Sequence, residues 1–292
     1  MRDRIARIED LIHREVGRDA TGLFAAAKGG LFGAVEALSA APIRHAGILT
    51  GFFVPKGMPP AAETDGPAGA ALLALAFAAM GVPCRVLTDE SCRAACEAAL
   101  AGTAPVDAVA PDADLADTIA AWRGHGIDWI VAIERCGLSA DGRPRNMRGE
   151  DIGAHAAPLD HVFAAGPWRT VAIGVGGNEI GMGALPPGLI ASEVKFGGRI
   201  ACVTPADHLI AAGVSHWGAY GLIAGLAIAL PLHRAALLAC LDPEIDRRVV
   251  TAMVTHGPAV DGVTLRREAT IDGLSLAAHA AVLATVKAAA GG

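Results

Sequence analysis

The chain has 292 residues, a formal net charge of -6 and 53% hydrophobic residues, with aromatics held to 4%. That length lies near the upper limit for one hydrophobic core, and residues 1–292 are expected to form one domain rather than two. The mild negative charge, with Lys and Arg scattered rather than striped, argues against a nucleic-acid partner.

The N-terminal segment MRDRIARIEDLIHREVGRD is charged throughout and has no apolar leader, which predicts a cytoplasmic protein. Residues 2–40 carry two helical patterns. Ile5, Ile8, Leu11 and Ile12 follow one helical face, and Leu31, Val35 and Leu38 follow another. Short β-rich runs then alternate with helical stretches. Strands are predicted at residues 47–54, 84–88, 129–133, 170–175, 199–203 and 209–214. Helices are predicted between them at 66–80, 91–101, 115–124 and 179–190, with two more near 242–255 and 276–289. Strands apolar on both faces and separated by helices imply a three-layer α/β fold, its mostly parallel sheet covered by helices on both sides.

Residues 209–232 contain no Asp, Glu, Lys or Arg and are long enough to span a bilayer. The run starts like a strand, breaks at Ser215-His216-Trp217-Gly218 and resumes as a helix, so two buried elements of an α/β core are expected instead. The six cysteines form no CxxC pair. Cys92 and Cys96 share a helical face, yet no ligand cluster surrounds them, and all six read as reduced structural thiols.

Four loops follow candidate strands, where α/β sheets place ligands. In Ala62-Glu63-Thr64-Asp65-Gly66-Pro67, Asp65 suits a helix cap and Pro67 a first turn. Glu63 has no capping role, and both carboxylates are candidate acids, bases or metal ligands. Glu134 and Arg135 sit just past an apolar strand, where charge is costly unless paired or exposed in a crevice. Asn146, Arg148 and Asp151 follow, either as a solvated loop or as a carboxylate-binding group that uses the planar Arg fork.

Gly174-Val175-Gly176-Gly177-Asn178-Glu179 could cradle an anion on backbone N–H groups at a helix N-terminus. Glu179 then either matches the helix dipole or points into the crevice. The spacing is not a dinucleotide fingerprint, and no GxxxxGK[ST] loop is present, so no nucleotide cofactor is expected. In the fourth loop Asp207 and His208 are polar neighbours after a strand. His216 reads as a hydrogen-bonded crevice residue, and Ser215 lacks the elbow of a nucleophilic serine.

Together TGFFVP…AAETDGP, AIERCG…DGRPRNMRGEDI, GVGGNEIGMG and CVTPADHLIAAGVSHWGAYGL resemble the D-glutamate cyclase family, as does the later VDGVTL…IDGLSLAAHAAVL. The resemblance runs from about residue 47 to the end. It includes the C-terminal domain of the mitochondrial vertebrate enzyme, whose extra N-terminal domain is not expected here. His216 stands where Asn is expected in many members. The resemblance implies a lyase that converts D-glutamate to 5-oxo-D-proline and water, with manganese or magnesium as a divalent cofactor. Glu179 and Glu134 are then the acid/base candidates. Arg148 is assigned to a substrate carboxylate, with Asn146, Gly176, Gly177, Asn178 and Ser215 beside the substrate. Asp65, Asp151, Glu63 and Asp207 are the candidate metal ligands. Alternatives are a racemase or lactam hydrolase acting on a small acidic metabolite, or a non-enzymatic sensor of a small ligand. Homo-oligomerisation stays open, and no membrane partner is expected.

Overall fold

A computed structural model describes every residue except Asp19 and Gly292. Six parallel strands form the central sheet: β1 (Ala46–Leu49), β2 (Cys84–Asp89), β3 (Val106–Val109), β4 (Trp129–Ile133), β5 (Arg169–Gly174) and β6 (His208–Ala211). Their spatial order is β3-β2-β1-β4-β5-β6. Every neighbouring pair is parallel. β1 therefore lies between β2 and β4, and the chain reverses its direction of travel across the sheet there. The crevice at such a reversal opens beyond the C-terminal strand ends, here after Leu49 and Ile133.

Alternation along each strand sorts side chains into two cores. Ile48, Val86, Val131, Ile133 and Ile173 join one core with the helices Asp65–Ala79 and Ser215–Ala229. Leu49, Leu87, Ile130 and Ala172 join the other, with Trp122, Phe163 and Trp168. Helices thus cover both faces, which is the expected three-layer α/β architecture. Glycines set the spacing between layers. A Cβ at Gly218 would lie 2.3 Å from Ile173 Cγ2, and one at Gly69 would lie 2.4 Å from Ile133 Cδ1. The two helices beside the crevice therefore press directly onto β4 and β5.

The helix Ser215–Ala229 has 15 residues and is buried nearly all round. Among the described residues no helix is long and apolar enough to cross a membrane. All six cysteines are buried and free.

Four points differ from expectation. Residues 199–203 are not a strand; the helix Gly197–Ile200 occupies their start. Residues 179–190 are not one helix, since only Leu189–Glu193 is helical there. Glycines and the Pro186-Pro187 pair interrupt that segment, and Gly181 has φ +99° with no room for a side chain against Ala172. β3 was not expected, because its sequence VDAV places an acid inside a half-buried edge strand. The N-terminal region forms three helices rather than two: Arg2–Ile12, Thr21–Ala27 and Gly30–Ser39.

Two small additions stand at the crevice. Phe53–Val54, Ala61–Glu63 and Ala259–Val260 make a three-stranded sheet. Thr270–Ile271 and Leu274–Ser275 make a hairpin. Its turn residues Asp272 and Gly273 have φ 53° and 73°, the left-handed pair that a tight two-residue hairpin requires.

Candidate active site

A cavity of about 370 Å³ opens at the reversal point, within the range of small-molecule sites. Its walls include Glu63, Glu134, Glu179 and Asp272, with Arg18 and Arg148 as cations.

Each carboxylate arrives by a different device. Glu63 ends a short strand of the added sheet. Asp65 begins the next helix without capping it, contrary to expectation; Thr64 is the cap residue and makes no side-chain cap bond. Asp65 instead accepts hydrogen bonds from the backbone N–H groups of Ser215 (3.0 Å) and His216 (2.7 Å). It therefore holds the N-terminus of another helix, Ser215–Ala229. Glu134 follows β4 with φ +43°, a left-handed backbone costly for a residue with a side chain and typical of functional sites. Ser215 Oγ–H donates to Glu134 Oε2. Gly66 permits this approach, because a Cβ there would lie 2.7 Å from Thr50 Oγ1 and 3.1 Å from Glu134 Cβ.

Glu63, Asp65 and Glu134 are buried and offer oxygen atoms within 4.8 Å of one another. Burial, then the charges of Asp272 and Asp65, holds Glu63 well above the usual carboxylate range. Burial and Asp272 push Asp65 up to about 7. Burial, then Glu179, Asp65 and Glu63, raises Glu134 strongly. Burial also raises Asp272, despite its ion pair with Arg18. Like charges this close cannot all remain ionised without compensation. Hard oxygen donors, close spacing and surplus negative charge fit a divalent cation, and Glu63, Asp65 and Glu134 could hold one.

Glu179 differs from the other carboxylates. Its Oε1 accepts N–H bonds from Val175 (3.1 Å) and Gly176 (2.8 Å), and its Oε2 accepts one from Gly177 (2.8 Å). The glycine loop thus cradles a carboxyl group, but that group is the protein's own Glu179. This corrects the expectation that Gly176 and Gly177 donate to a substrate. It also removes the helix dipole from Glu179, since no helix starts there.

The remaining expected residues separate. Asn178 lines the cavity, and its side-chain N–H₂ donates to Arg145 O at 2.8 Å. Asn146 organises its own loop, accepting from Arg148 N and Glu150 N and donating to Glu150 Oε2. Arg148 is exposed at the cavity wall. Asp151 and Asp207 do not join the acidic group. Asp151 pairs with Arg143 at 2.6 Å in an exposed loop. Asp207 precedes β6 and accepts from Thr170 N and Oγ1 (2.8 and 2.9 Å), so it lies at the opposite, N-terminal edge of the sheet. Arg135 turns away from the cavity and binds both oxygens of Asp89, fully buried.

His216 is also buried behind the site. Its Nε2 meets Asp246, to which Tyr220 also donates. Sequence reasoning missed Arg18 and Asp272 altogether. The Asp-Gly pair of the hairpin was a readable signal for the turn, though not for its place at the cavity.

The sequence model of a family described as D-glutamate cyclase-like, C-terminal, matches residues 8–287. The chain is also similar to human mitochondrial D-glutamate cyclase, with 39% identity over 105 residues. That match covers 35% of this chain and 17% of the human protein.

Proposed function

From the premise that the chain belongs to the D-glutamate cyclase-like family, we propose that it is a lyase converting D-glutamate to 5-oxo-D-proline and water. The observation that carries this reading is the buried group of mutually repelling carboxylates at the crevice floor. In the proposed reaction the α-nitrogen attacks the δ-carboxyl carbon of the same molecule. A C–N bond forms, a C–O bond breaks, and two protons pass from the ammonium nitrogen to the departing oxygen, which leaves as water. Such chemistry needs a base, an acid and a site that folds a flexible substrate into a ring.

Glu134 is the acid. Burial and its neighbours favour its protonated form, which can deliver a proton to the leaving oxygen. Ser215 Oγ–H orients Glu134 through Oε2. Glu179 is the base. Its three N–H bonds fix the carboxylate and leave one acceptor position on Oε2 for the amine proton. Arg148 meets the substrate at the outer wall. Manganese or magnesium, held by Glu63 and Asp65, would supply Lewis-acid polarisation of the carboxyl group under attack. The reading implies a small acidic metabolite as its partner.

The test is direct. Purified protein with manganese or magnesium should consume the primary amine of D-glutamate and spare L-glutamate. Equal inactivity toward both enantiomers would remove the assignment.

A further inference from the structure

A cavity walled by carboxylates repels an acidic substrate unless a cation faces it. Four cationic side chains line this one: Arg18, Lys56, Arg148 and Lys195. Lys56 is exposed and paired with Glu150. Arg148 and Lys195 are exposed at the mouth, with no fixed geometry to impose. Arg18 is different. Its side chain is only 18% exposed, and it is pinned at two points, by Nη1 to Gly213 O at 2.8 Å and by Nη2 to Asp272. Asp272 and nearby Glu134 and Asp65 hold its charge firmly, against the cost of burial.

The chain around it is also clasped. The Glu15 carboxylate accepts hydrogen bonds from Gly17 N, Arg18 N and Ala20 N (2.7 Å for Ala20). A guanidinium has five N–H donors. These bonds use two of them, and among the described residues the guanidinium has no other hydrogen-bond partner. The planar fork is therefore fixed in place with donors to spare beside the acidic group. A pre-ordered fork loses little entropy on binding a carboxylate and matches it with parallel hydrogen bonds.

We propose that Arg18 is the specificity-determining anchor for a substrate carboxylate, held in register by Asp272, Gly213 and the Glu15-clasped loop. Resting on the cyclase reading, the group anchored is the α-carboxylate, which leaves the δ-carboxyl free to meet Glu134. Arg148 and Lys195 then attract anions without selecting among them.

The experiment uses glutarate, which has two carboxylates and no amine to cyclise, alongside D-glutamate. Binding is measured by calorimetry on the wild-type chain and on Arg18→Lys, Arg18→Met and Arg18→Met/Asp272→Asn, each checked for folding by circular dichroism. Loss of hydrogen bonds to a charged group should weaken both ligands about 10- to 100-fold in Arg18→Met, with a smaller loss in Arg18→Lys. The double variant removes the partner charge together with Arg18. It should regain thermal stability and stay weak in binding. Full recovery of binding in the double variant would show that Arg18 only neutralises Asp272, which overturns the proposal. Unchanged binding in Arg18→Met, or in Arg18→Lys where Arg18→Met fails to fold, overturns it too, as does a folded wild-type chain that binds neither ligand. Wild-type protein that binds both ligands but makes no 5-oxoproline would sink the cyclase reading and leave the Arg18 assignment standing.

Discussion

Replacing Glu134 by Gln should stabilise the metal-free protein while disabling it. The side chain is buried, sits on a left-handed backbone and shares 4.8 Å with Glu63 and Asp65. Two ionised carboxylates at that distance repel by roughly 3 kcal/mol at an effective dielectric of about 20. Protonation relieves much of this at neutral pH, so a gain of about 1–2 kcal/mol is expected from the neutral isostere. For a chain of this size that is about 2–4 °C in melting temperature. Gln keeps a carbonyl that can accept from Ser215 Oγ–H. It cannot deliver a proton, so turnover should fall about 10²- to 10⁴-fold. The assay pairs thermal melts in chelator at pH 8 with kcat on D-glutamate. A variant that melts lower than the wild type and keeps its kcat would refute both the strain and the catalytic role.

Three further outcomes follow from other contacts. Glu179→Gln puts an N–H₂ group against backbone donors, so it should lose about 1–3 kcal/mol of stability as well as activity, measured by urea melts beside kcat. Burial lowers His279 to about 4, and its Nδ1 accepts from Trp217 Nε1 at 2.9 Å while Nε2 faces Ile271 O. The folded state binds this proton less readily than the unfolded state, so the stability is full above about pH 6.5. It declines as pH falls through about 4, by up to roughly 3 kcal/mol; an acid titration of unfolding free energy should flatten in His279→Gln. Gly66→Ala should cost about 1–3 kcal/mol and disturb Glu134, because its methyl meets Thr50 Oγ1 and Glu134 Cβ; a wild-type melt and kcat would contradict the close packing.

Strands that are buried on both faces announce themselves, so β4 was legible to the residue, and the alternation of strand and helix carried the layer architecture. β3 was hidden because edge strands tolerate charge, and Asp107 broke the apolar run. Glu134 stood out as an acid directly after a strand, Glu63 and Asp65 as acids in the loop that follows another, and the chain topology brings them together. Glu179 was visible as a residue, but its surroundings were not. A glycine run before an acid reads equally as a helix start or as a loop folding back on its own carboxylate, and Pro186-Pro187 favours the loop. Arg18 and Asp272 lie 254 positions apart, and no local pattern ties a loop near the N-terminus to a hairpin turn near the C-terminus. Asp207 misled because residues 199–203 are not a strand, so it precedes β6 instead of following a strand, and Asp151 because its loop turns it outward to Arg143.

The central claim is that this crevice closes a ring on D-glutamate. Chiral chromatography of the product formed by the wild-type chain with manganese or magnesium, run beside Glu134→Gln, tests it most directly. The account predicts 5-oxo-D-proline from D-glutamate with the wild type, none from L-glutamate, and at most about a hundredth of the rate with the variant. Absence of 5-oxoproline from the folded, metal-supplied wild type, or equal product from wild type and variant, would contradict it.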